Sequence, residues 1–166
     1  MGNGNQTVKG LLTAVALFLT CVSFASAACN EAQIELRGDW GQARFTVDVA
    51  DDAAKRAQGL MHVENMPQST GMLFVYPQPR EVRFWMRNTL IPLDMIFADR
   101  KGIVRYVHHE AEPLSEKRIY GGNNIQYVLE VNGGLARQMG IAKGSQMRHP
   151  AIAGADVAWP CAATED

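Results

Sequence analysis

FWMRNTLIPLDMIF, Phe84 to Phe97, is the stretch on which the fold turns. Apolar residues at both ends suit strands, while the middle gathers Trp85, Arg87, Asn88, Thr89 and Asp94 around Pro92. Proline cannot donate to a β-ladder, so the centre reads as an ordered loop between two core strands. On the upstream side, alternation from Glu81 to Arg87 puts Val82, Phe84 and Met86 on one face and Arg83, Trp85 and Arg87 on the other. Downstream, Leu93 to Ala98 forms a strand, Asp99 to Gly102 a turn, and Ile103 to His108 the return limb of a hairpin.

Working outward, Gly71 to Tyr76 is apolar enough for a strand buried on both faces, and Pro77 and Pro79 are expected to end it. Ala32 to Arg37 and Ala43 to Val49 alternate as half-buried strands about a turn at Gly38 to Gly41. Asp51 is placed to cap a short helix with an apolar face of Ala53, Ala54, Ala57, Leu60 and Met61, stopping at Gly59. Glu110 to Asn124 reads as a polar loop, and Ile125 to Val131 as a strand with Ile125, Tyr127, Leu129 and Val131 facing the core. A second helix, Leu135 to Met139, closes at Gly140, and a last strand is placed around Gln146 to Arg148. Strands follow one another directly, so the expected class is α+β: a mostly antiparallel sheet curled into a barrel or small sandwich, with two short helices.

The first 27 residues read as a secretory signal peptide. Lys9 precedes an apolar run, and Ala25-Ser26-Ala27 supplies small residues before a cut near Ala27. The remainder divides into one domain, 28–150, and a tail, 151–166, with a periplasmic or secreted location and no later membrane span. Removing Lys9 from 16 basic residues leaves 15 against 17 acidic ones. Such a balance argues against nucleic acid as a partner, since phosphate binding needs concentrated cations. Cys29 and Cys161 remain after cleavage, an even pair that reads as a disulfide in an oxidising compartment or else as two free thiols in the termini.

The motifs RAQGLM at Arg56 to Met61, GMLF at Gly71 to Phe74, the opening stretch, YVLEVNGG at Tyr127 to Gly134 and GIAKG at Gly140 to Gly144 stand in order over roughly Phe45 to Arg148. Together they resemble the small prokaryotic family catalogued as domain of unknown function 192. The resemblance implies a β-rich α+β fold, often behind a signal peptide, and implies no reaction. That family often carries Asp after the final glycine of the last motif, where this chain has Ser145.

The candidate binding residues are Arg83, Trp85 and Arg87, with Asn88, Thr89 and Asp94 beside them and Arg56 reaching in from the first helix. An indole between guanidinium groups can hold a carboxylate, a phosphate or a sugar. The structural alternative has Trp85 as a core or rim aromatic and Asp94 pairing Arg87 to fix the loop. His108, His109 and Glu110 form a cluster, yet two ligands on one strand face do not close a metal site. Seven methionines (Met61, Met66, Met72, Met86, Met95, Met139 and Met147) suggest Cu(I) chemistry, but they fall in strand and helix patterns as core filler. No metal or cofactor is expected. The reading is a monomeric exported domain that binds a small polar or anionic ligand, or an envelope protein, through Trp85 to Asp94. The alternatives are a cell-envelope hydrolase using Asp94, paired with Glu130 if the two carboxylates converge, and a structural accessory protein.

Overall fold

The computed structural model describes residues 1–2 and 29–161. Nearly all of the expected leader, and residues 162–166, lie outside the described residues. Nine elements follow in order: β1 (Gln33–Gly38), β2 (Gly41–Ala50), α1 (Ala53–Gln58), β3 (Thr70–Phe84), β4 (Leu93–Ala98), β5 (Val104–Ala111), β6 (Ile119–Asn132), α2 (Leu135–Met139) and β7 (Gln146–Arg148). All seven strands join one sheet in the order β5-β4-β6-β3-β2-β1-β7. Its neighbours pair antiparallel except β2 and β3, which run parallel across the α1 connection.

The class is α+β, as expected, but the sheet curls into a half-barrel and is neither a closed barrel nor a sandwich. Its edges meet at one end, through the Ile103–Gln146 bridge. There Val104 N donates to Ser145 O and Met147 N to Gly102 O, both at 2.8 Å. Ser145 also serves this closure, because its Oγ accepts from Trp40 Nε1 at 2.9 Å and from Ala142 N at 3.2 Å.

Two strands outrun their expected limits. β3 continues past Pro77 and Pro79 to Phe84, because the ladder with β6 jumps from Val75–Tyr127 to Arg80–Ile125. The prolines occupy the resulting bulge, where no ladder bond is asked of them. β6 begins at Ile119, inside the expected polar loop. Gly121 permits this, since a Cβ there would collide with the Phe97 ring. The helix caps are close to expectation: Asp52, one residue after Asp51, accepts from Lys55 N at 2.8 Å, and Gly59 and Gly140 end α1 and α2 with positive φ.

The central strands are buried on both faces, which divides the interior in two. Leu73, Ile96, Leu129 and Val131 join one cluster with Leu135 and Ala136 of α2. Phe74, Met95, Phe97 and Val128 join the other, with Leu60, Val82 and Met86. Residues after β7 pack back onto the domain. Ile152 enters the first cluster, and Trp159 lies between the Arg37 and Arg148 guanidiniums, each 4.3 Å from its ring centroid. Arg148 and Arg44 in turn hold the Glu35 carboxylate. Cys29 and Cys161 form a disulfide with Cα atoms 5.5 Å apart.

Candidate functional site

After Phe84 the chain leaves the sheet, so strand alternation stops one residue before Trp85. The loop that follows is held by backbone bonds. Met86 N donates to Ser115 O (2.8 Å), Thr89 N to Met86 O (3.0 Å), and Leu114 N to Thr89 O (3.0 Å). It also grips the segment after α1: His62 N donates to Asn88 O at 2.8 Å, and Asn88 Nδ2 approaches Met61 Sδ at 3.9 Å. His62 and Asn88 both have left-handed φ, 66° and 55°, a region that non-glycine residues enter seldom and Asn and His more readily than most.

Between these two segments and the sheet lies a cavity of about 90 Å³. Arg56, Gly59, Leu60 and Met61 border it on one side, Phe84, Trp85 and Thr89 on the other, with Phe74, Tyr76, Arg83 and Glu130 from the strands. Of the seven residues proposed from sequence, the cavity gathers Arg56, Arg83, Trp85 and Thr89 and leaves out Arg87, Asn88 and Asp94. Arg56 is fixed, its Nη1 donating to Asp51 O at 2.7 Å and Val75 O at 2.9 Å while its guanidinium lies 5.2 Å from the Tyr76 ring.

Glu130 is the unusual member. It is 4 % exposed, and its carboxyl has no hydrogen-bond partner among the described residues. Burial pushes its pKa up to about 8. An uncompensated carboxylate in such surroundings is costly, so the group stays neutral and can donate a hydrogen bond. The alternation in IQYVLEV assigns Gln126, Val128 and Glu130 to the outer face of β6, which the strand pattern alone leaves to solvent. The α1 end and the 84–92 loop cover that face, and the sequence pattern does not reveal this cover.

Trp85 does lie between two guanidiniums, but they belong to Arg87 (5.4 Å) and Arg118 (4.6 Å). Arg83 instead stacks on Tyr120 at 4.9 Å and pairs Glu81 at 2.6 Å. Arg118 escapes a sequence reading because it reaches Trp85 through the Phe84–Ile119 pairing, a contact between distant strands.

Asp94 is fully buried and does not pair Arg87. Its Oδ1 accepts from Glu110 N (2.7 Å) and Gly134 N (3.0 Å), and its Oδ2 from Ala136 N (2.7 Å). It thereby fixes the start of α2 and the left-handed Glu110 (φ 50°). Asp94 pairs in register with Val131, and Glu130 with Met95, so the two carboxyls point to opposite faces of the sheet. They cannot share a substrate. The histidine cluster lies within β5; His109 Nδ1 is buried without a hydrogen-bond partner, 3.9 Å from Asp94 Oδ1. His108 is pulled below its ordinary pKa, first by burial and then by the neighbouring His109.

No curated protein matches the chain. Two solved structures are similar to it, each at 35% identity and a TM-score of 0.68. One is a protein of unknown function from Novosphingobium aromaticivorans DSM 12444, aligned over 69% of this chain and 82% of that one. The other, from Sinorhizobium meliloti 1021, is described as a proposed transcription regulator and aligns over 74% of this chain and 96% of its own. A family model covers residues 34–149, the whole sheet and both helices apart from one residue at the start of β1. The chain therefore belongs to the family of domain of unknown function 192, described as "Uncharacterized ACR".

Proposed function

We propose that this domain is a small-molecule binding module whose site is the cavity over Glu130, with Trp85 as one wall and Arg56 and Arg83 at its border. The observation that carries the reading is Glu130 itself: a carboxyl 4 % exposed, bordering a cavity, with no protein hydrogen-bond partner among the described residues. Buried polar groups nearly always find a partner, and one facing a cavity takes it from what enters. The site proposed from sequence thus shifts from Trp85–Asp94 toward α1 and β6. A hydrolase built on Asp94 has less support, because both of its oxygens are occupied by backbone donors on the other face of the sheet.

We place the domain outside the cytoplasm, supported by the leader-like first 27 residues and the Cys29–Cys161 bridge. Among the described residues no helix is long and apolar enough to cross a membrane. A nucleic-acid partner, as a regulator of transcription would need, finds little support in a formal net charge of −1.

Native mass spectrometry of the protein purified from its own cell envelope tests the reading. A small-molecule adduct is expected on the wild type and is lost in Trp85→Ala and Glu130→Leu proteins that remain folded. An adduct that survives both substitutions, or no adduct at all, counts against the site.

A further inference from the structure

Resting on the ligand pocket proposed above, we infer that its occupant is the carboxylate end of a small organic acid, accepting a hydrogen bond from the Glu130 carboxyl and facing the Arg56 guanidinium. Size, charge and preorganisation each lead there. The cavity of about 90 Å³ is smaller than the roughly 150 Å³ that admits a benzene ring. It therefore takes a head group of a few heavy atoms and leaves the rest of the ligand outside.

Among the described residues the charges bordering the cavity are two guanidiniums, Arg56 and Arg83, and the carboxyl of Glu130. Arg83 is already paired with Glu81, so with the Glu130 carboxyl neutral the Arg56 guanidinium is the lining charge without a salt-bridge partner among the described residues, which opposes an ammonium head and favours an anion. Arg56 is suited to meet it. Its Nη1 is spent on the Asp51 and Val75 carbonyls, leaving Nε and Nη2 without a protein acceptor among the described residues. Those two nitrogens form the fork that matches a carboxylate, and little side-chain freedom is left to lose on binding. A neutral acid adds a charge-assisted O–H···O⁻ bond that an amide carbonyl does not equal.

The arrangement makes binding depend on pH. Around Glu130, α1 contributes Arg56, and β3 contributes Tyr76 and Arg83. Met72 and Met95 flank it in register on β3 and β4, and the 84–92 loop adds Trp85 and Thr89. Burial raises the Tyr76 hydroxyl above its ordinary range, so Glu130 alone in this set changes charge near neutrality, at about 8. Above that point a second carboxylate meets an ionised one and is repelled.

The test is a ¹H–¹⁵N NMR titration of the intact, disulfide-bonded protein with sodium propionate, propionamide, propylamine and methylphosphonate, at about pH 6 and about pH 9.5, either side of the Glu130 transition. Propionate is expected to shift the Gly59 and Tyr76 amides and the Trp85 indole, to bind about tenfold tighter than propionamide, and to lose about tenfold or more at the higher pH. Glu130→Gln should remove that pH dependence. If the variant does not fold, the ¹³C titration of the wild-type Glu130 carboxyl reads the same coupling, as an upward move of its midpoint with propionate. Propylamine or methylphosphonate binding tighter than propionate at those residues overturns the carboxylate assignment and leaves the pocket standing. Equal propionate binding at both pH values overturns the role given to Glu130. No shift at those residues with any of the four probes overturns the inference and the pocket together.

Discussion

Glu130 ties stability to pH in a direction opposite to most carboxylates. Its ordinary value is 4.5 and its folded value about 8. Between the two, the folded chain holds a proton that the unfolded chain has released. Stability therefore falls as pH rises through that window, by about 1.4 kcal/mol per unit at most. Glu130→Gln is expected to match the wild type below about pH 4 and to exceed it increasingly from there up to pH ~8, then to keep a constant lead. Urea unfolding at stepped pH measures this, and a difference that does not change with pH contradicts it. Ligand binding should separate the two arginines that a sequence reading treats alike. Arg56→Ala weakens propionate binding about tenfold or more, by removing the charged fork. Arg87→Ala, at a residue that stacks on Trp85 but does not border the cavity, changes it less than about twofold. Calorimetric titration of both variants decides it.

At the scale of elements, Asp94 is the residue that joins β4, β5 and α2. Replacing it with Ala strands three backbone N–H groups in the interior, at about 3 kcal/mol or more. Gly121→Ala forces a methyl group into the Phe97 ring and is expected to cost about 1–3 kcal/mol. Chemical denaturation checks both, and a loss below about 0.5 kcal/mol in either would show that the interior relaxes around the change. The same elements show what was legible in the chain. The β4–β5 hairpin, both helices and β7 follow from local signals: Gly59 and Gly140 as stops, the Asp99–Gly102 turn, and alternation. The run of β3 through two prolines, and the extension of β6 back to Ile119, depend on a partner strand far away in sequence. No local pattern carries that information. Trp85, Arg83 and Thr89 are readable as candidates because polar and aromatic residues there interrupt an apolar context, and Arg56 because it stands near the end of the first helix. Arg118 and the buried setting of Glu130 are not, because both arise from long-range pairing.

Across the whole molecule, the two ends of the described segment 29–161 are drawn together by the Cys29–Cys161 bridge, with a sequence separation of 132 residues. The chain-entropy account gives such a loop about 5 kcal/mol, with about 2–5 kcal/mol typical when native bridges are removed. The paired Cys29→Ser and Cys161→Ser protein is expected to lose stability in that range. It should keep its affinity for propionate, since no described residue of the tail borders the cavity. Reduced affinity with an unchanged denaturation midpoint would contradict that separation of tail and site. The half-barrel accounts for the placement of the cavity as a whole. Curling buries both faces of β3, β4 and β6, and a polar residue on the outer face of β6 can then be covered by a short helix and a loop.

The ¹³C NMR titration of the Glu130 side-chain carboxyl, with and without propionate, bears most directly on that placement. A midpoint near 8 that moves upward when propionate is added is the result expected of a neutral acid waiting in a binding pocket. A midpoint near 4.5, unmoved by propionate, would show an ordinary solvated carboxylate and contradict the account.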